Sequence, residues 1–149
     1  MKEALKQCRR ILARSGSSFA TAFRILPREQ RDALTAFYAF CRAVDDDVDE
    51  CTDPREAARR LSAWRGRVDH LDRAGPDEPV AVCLGWAAAR FGIDPRLFHL
   101  VLDGVETDLR PVRFETFHQL YDYCYRVASA VGLVCIRVLG GAGAARAET

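Results

Sequence analysis

The six cysteines, at positions 8, 41, 51, 83, 124 and 135, include no C-x-x-C pair, and the three histidines, at 70, 99 and 118, form no H-E-x-x-H. Zinc and dithiol chemistry therefore lose their usual ligand spacings, and the cysteines read as reduced cytosolic thiols. Cys8, Cys41, Cys83, Cys124 and Cys135 lie among apolar residues at helical spacing, where a free thiol behaves as a small hydrophobe. Long apolar runs are also missing: the longest, 80–89, falls well short of the roughly 20 residues that a spanning helix needs. The first residues are too charged for a signal peptide, so a cytoplasmic protein is expected. A net charge of +1 gives no general pull towards nucleic acid. No stretch alternates at period two, which argues against sheet, and there is no internal repeat or low-complexity linker.

What is present is 149 residues of ordinary globular composition, 49% hydrophobic and 29% charged, which fits one domain with a real core. The periodicity is helical throughout. Ala4, Leu5, Cys8, Ile11 and Leu12 mark a first helix that breaks at Ser15-Gly16-Ser17-Ser18, and a short one restarts near Phe19. Lys2, Lys6, Arg9, Arg10 and Arg14 make the first helix basic; this run reads as a solvated face rather than a membrane or phosphate patch. Pro27, Asp53-Pro54 with Glu56, Pro79 and Asp94-Pro95 each open a helix. The segment from Pro79 to Phe91 is nearly all apolar; it reads as a buried helix and is expected to lack partners for one side. After a loop around Pro111, Thr116 with Gln119 fits a capping box, and the last helix is expected to stop at Gly140-Gly141. The fold class is all-α, with six or seven helices.

The most informative stretch is 33–50, ALTAFYAFCRAVDDDVDE. At about 100° per residue, Tyr38, Arg42, Asp45 and Asp49 fall within about 60° of one another, so a phenol, a guanidinium and two carboxylates share one stripe. Both flanks are apolar, with Leu34, Phe37, Phe40, Cys41 and Val44 on one side and Ala36, Ala39 and Ala43 on the other. Such a helix is normally buried, so the stripe is expected to line an interior cavity. Two aspartates four apart can present oxygens to one hard cation, and Mg²⁺ favours a few carboxylates with waters and phosphate oxygens. An isolated D-x-x-x-D is as readily a solvated helix end; Tyr38 and Arg42 on the same stripe favour a phosphate site, since arginine grips phosphate bidentately. Asp46 stands at the stripe's edge, while Asp47 points away and reads as a solvent or cap residue.

In the last helix, YCYRVASAVGLVCIRVLG, Tyr123, Val127, Ala130 and Val134 share one face, and Ala128 and Gly132 are small residues that allow close packing or a bulky ligand. From periodicity alone a packed core helix with snorkelling Arg126 and Arg137 is favoured over a substrate wall.

SGSSFATAFRILPREQRDALTAFYAFCRAVDDDVDE resembles the first signature of the squalene/phytoene synthases, and the tyrosine-rich helix resembles their central one, in the same order over about 14–140. The likeness is strongest to the bacterial presqualene diphosphate synthases of hopanoid biosynthesis, with phytoene synthases next. It implies an isoprenoid-synthase helical bundle, of which 1–149 is an amino-terminal portion, and Mg²⁺-dependent head-to-head condensation of two prenyl diphosphates. Farnesyl diphosphate is the expected substrate, giving presqualene diphosphate or squalene; geranylgeranyl diphosphate, giving phytoene, is the alternative. By the same resemblance Asp45 and Asp49 match metal-binding aspartates, Tyr38 and Arg42 match diphosphate contacts, and Ser18-Phe19 matches a flap near the pocket mouth. Tyr123, Val127, Ala128 and Gly132 match the cavity lining.

Two departures stand beside it. Ala20-Thr21 replaces residues that are often aromatic in relatives, and the second aspartate-rich motif has no counterpart, since Asp103 and Asp108 are five apart. The chain alone is therefore expected to lack turnover. Peripheral contact with a membrane and self-association through uncovered apolar faces are further expectations, and nucleic acid is not. A non-catalytic helical interaction module is the alternative from another class.

Overall fold

Helix α3 (Arg28–Asp49) is the axis of the structure, a computed structural model that describes residues 1–109 and 114–144, with the backbone alone at 108, 126, 127 and 141–144. Around it lie α1 (Lys2–Arg14), α2 (Phe19–Ala22), α4 (Pro54–Asp69), α5 (Pro79–Phe91), α6 (Arg96–Asp108), α7 (Phe117–Cys124) and α8 (Ala130–Ala144). Among the described residues there is no strand. The expected loop around Pro111 lies outside the described residues.

The apolar periodicity of α3 explains its central place. Its buried Phe37 and Phe40 meet Phe98 of α6 at ring-centroid distances of 6.0 and 5.7 Å, and Phe40 meets Trp64 of α4 edge-on at 5.7 Å. On another side α3 packs against α1 and α5, which also pack on each other, with Cys8 and Cys83 fully buried among them. A carboxylate inside this layer needs cations, and the buried Asp32 receives Arg9 at 2.7 Å and Arg28 at 3.8 Å.

The punctuation residues act largely as their chemistry requires. Asp53 accepts the Arg55 amide at 2.9 Å and Asp94 accepts that of Arg96 at 2.9 Å, each beside its proline. Glu56 turns to Arg60 rather than back to the cap. Thr116 and Gln119 form a reciprocal capping box. Gly92 ends α5 at φ +62°, in the left-handed region that only glycine enters cheaply. Gly85 is a place of close approach: a Cβ there would stand 2.9 Å from the Leu71 carbonyl oxygen.

Three expectations are corrected. Helix α8 does not stop at Gly140-Gly141 but continues to Ala144; glycine inside a helix costs only about 1 kcal/mol, and neither of these glycines takes a positive φ. The tyrosine-rich segment is not one continuous α-helix, because a π-helical turn at Tyr125–Ser129 separates α7 from α8. And the apolar α5 is not left without partners, since Val80, Ala81, Cys83, Leu84 and Ala87 are all buried. Besides Phe19 and Ile25, the uncovered apolar surface lies mainly along α7, the π-helical turn and α8. Ala130, Val134 and Val138 face inward, whereas Leu133, Ile136 and Leu139 on the other side remain 42%, 65% and 47% exposed.

Candidate active site

The stripe on α3 forms, and its surroundings differ from the enclosed cavity expected. Tyr38 is half-buried, but Arg42, Asp45 and Asp49 are exposed. At that end of α3 the polar stripe is exposed while the apolar flanks are buried. Asp45 and Asp49 sit one turn apart on the exposed side. The guanidinium of Arg42 is held one turn along by Asp46 at 2.7 Å, an i, i+4 pair that keeps the cation on the stripe.

Asp47 is no solvent residue. Its carboxylate accepts the Trp64 indole N–H at 2.8 Å and its backbone carbonyl accepts Arg60 at 3.0 Å, so it ties the end of α3 to α4. The direction away from the stripe was legible; the partner on another helix was not.

At the other end of the stripe, the Phe19 ring lies 6.0 Å from Tyr38 and stacks on Phe23 at 5.8 Å. Ser18 is the exposed cap of α2 and gives no side-chain cap bond. The hydroxyl of Ser17 serves there instead, accepting the Phe19 amide at 3.2 Å. Beside the carboxylates, burial pushes the Cys41 thiol up to about 12, and the Asp45 carboxylate adds to the effect. Cys135 of α8 also bears on Cys41, which places α8 alongside this stretch of α3.

Of the expected lining residues, Tyr123 borders a pocket of about 180 Å³ against Gly104 and Thr107 of α6 and packs on Phe114 at 5.1 Å, whereas Ala128 and Gly132 are exposed. Nothing lies within 4 Å of where a Gly132 Cβ would stand. The side chain of Val127 lies outside the described residues. The π-helical turn, whose i→i+5 bonding spends an extra residue, interrupts the regular face of Tyr123, Val127, Ala130 and Val134 read from the sequence.

The donor set on α3 suits a hard cation that keeps waters and takes phosphate oxygens: two hard carboxylates one turn apart, beside a guanidinium. It is not a closed cage. Among the described residues no three metal-ligating side chains converge.

Residues 12–149 match the family described as squalene/phytoene synthase. The chain is 35% identical over 140 residues to a 15-cis-phytoene synthase of Synechococcus elongatus, covering 94% of this chain and 46% of that protein. It is 32% identical over 149 residues to phytoene synthase 3 of Zea mays, covering all of this chain and 35% of that one. The crystal structure of a dehydrosqualene synthase superposes with a TM-score of 0.78 at 28% identity, over 92% of this chain and 47% of the other. The chain thus spans less than half the length of these relatives.

Proposed function

This chain belongs to the squalene/phytoene synthase family, and we propose that it carries the first diphosphate-binding wall of a head-to-head prenyl transfer site. The observation that carries the reading is the single stripe of Tyr38, Arg42, Asp45 and Asp49 on α3, a helix that also packs against α8. Arg42, steadied by Asp46, grips oxygens of the diphosphate, and the Tyr38 phenol hydrogen-bonds the departing group. Asp45 and Asp49 hold Mg²⁺, which when bound offsets the negative charge of the leaving diphosphate. Phe19 packs on Tyr38 and shields the stripe's inner end, with Ser18 at the mouth. The open side of α8 at Gly132, with Ala128 of the preceding π-helical turn, borders the space for the prenyl chains and keeps water from the allylic cation. Tyr123 and Val127 belong to this wall only if the site, once complete, draws the α7 end towards it.

The second wall comes from a segment equivalent to the remaining length of the relatives. On this reading the chain alone does not couple substrates. The substrate is farnesyl diphosphate, on the strength of the motif likeness to presqualene diphosphate synthases. A second reading, geranylgeranyl diphosphate, is favoured by the relatives named phytoene synthase.

The experiment incubates the chain with each prenyl diphosphate and Mg²⁺, with and without a separately expressed carboxy-terminal half of a relative. Coupled product only with the added half supports the proposal, and the product's carbon number selects the substrate. Coupled product from the chain alone overturns the divided site.

A further inference from the structure

Three arginines from three elements line one pocket far from the aspartates. Arg9 of α1, Arg24 of the 3₁₀ turn Phe23–Ile25 and Arg31 of α3 line a space of about 620 Å³, with Leu12, Phe23 and Thr35 among its other walls. Arg31 precedes Asp45 by fourteen residues, which places it about 20 Å away along the helix axis.

The local charge is out of balance. Residues 1–32 hold eight cationic and three acidic side chains, a net +5 against +1 for the whole chain. One of those carboxylates, Asp32, is shared by Arg9 and Arg28, and Glu29 is taken by Arg90. Among the described residues Arg24 and Arg31 have no carboxylate within ion-pair distance, and no acidic side chain lines the pocket. Arg9 already holds Asp32 at 2.7 Å, so the uncompensated charge on the pocket is that of Arg24 and Arg31, which an anion would offset. Arginine's planar fork favours phosphate oxygens.

We propose that this pocket binds a phosphate-bearing anion, either free diphosphate or the phosphate head group of an anionic lipid. Ile25, which follows Arg24, is 87% exposed and gives the lipid form an apolar foothold beside the pocket. Phe23 lines the pocket and stacks on Phe19, which packs on Tyr38, so an anion drawn between Arg24 and Arg31 fixes the segment that covers the stripe. The basic run of α1 is thus in part a pocket wall, and not only a solvated face.

The test uses calorimetric titration of the whole chain with inorganic diphosphate in the presence of a chelator, so that binding through Mg²⁺ at the aspartates is silent. A parallel arm measures cosedimentation with vesicles of phosphatidylglycerol or of phosphatidylcholine alone. Arg24→Gln and Arg31→Gln should each weaken binding at least fivefold, with unchanged far-ultraviolet circular dichroism, and substitution of an exposed arginine outside both sites, Arg96→Gln, should leave it unchanged. Saturable diphosphate binding with these responses identifies a soluble-anion site. Binding confined to phosphatidylglycerol vesicles, lost in the same variants, identifies a head-group site. No binding in either arm, binding indifferent to Arg24 and Arg31, or binding lost equally with Arg96→Gln overturns the proposal.

Discussion

The Trp64 indole donates to the Asp47 carboxylate at 2.8 Å, locking α4 against the end of α3 two residues from both Asp45 and Asp49. Asp47→Ala leaves the indole N–H without this acceptor and should cost about 1 to 2 kcal/mol of stability, whereas Asp47→Asn keeps an acceptor and should cost less. Urea denaturation of the two variants decides the point. Equal losses would show that charge, through Arg60, matters more than the indole bond.

In the assembly of this chain with a carboxy-terminal half, Asp45→Asn or Asp49→Asn should lower Mg²⁺-dependent condensation about a hundredfold or more, as expected when several kcal/mol of charge stabilisation are lost. Asp47→Asn should leave turnover near that of the parent. Product formation is measured against circular dichroism on the same samples. Similar losses for Asp47 and Asp45 would break the link between helical face and role.

The reading of α3 from sequence succeeded because one helix contains the whole pattern. Tyr38, Arg42, Asp45 and Asp49 are related by regular geometry, and Phe37, Phe40 and Val44 announce their burial by spacing. Prolines 54, 79 and 95 and the Thr116–Gln119 box fixed four helix starts for the same local reason. What was not legible depends on other elements. Nothing near Asp47 points to Trp64, and nothing near Arg31 points to Arg9 and Arg24. The enclosure expected around the stripe was a statement about neighbours, which the pattern of one helix does not specify.

Cys41 gives the chain a pH dependence. Burial, and then the Asp45 carboxylate, hold its thiol protonated up to about 12, above the ordinary 9.0. The folded value is the raised one, so the stabilisation is complete below pH 9 and is lost as pH rises towards 12. Thermal melts across that window should fall more steeply for the parent than for Cys41→Ala. At pH 8, alkylation of Cys41 should lag behind that of the exposed Cys124. Parallel melting curves for parent and variant would remove the thiol as the cause.

Ile136 stands 65% exposed between Leu133 and Leu139, on the side of α8 that no described helix covers. The isolated chain should self-associate and bind hydrophobic dye, and Ile136→Glu should reduce both without changing helicity. Light scattering and dye fluorescence provide the check. A monodisperse parent with no dye binding would remove the need for a covering partner.

The wide turn at Tyr125–Ser129 joins two helices that do not share a rotational phase. Deleting one residue within it would restore ordinary winding and swing α7 by about 100° relative to α8, drawing it closer by about 1.5 Å. Tyr123 would then leave Phe114, while Ala130, Val134 and Val138 stayed seated in the core. The turn therefore acts as an angular setting for the aromatic end of the segment, one that length variation could reset without disturbing the packed end.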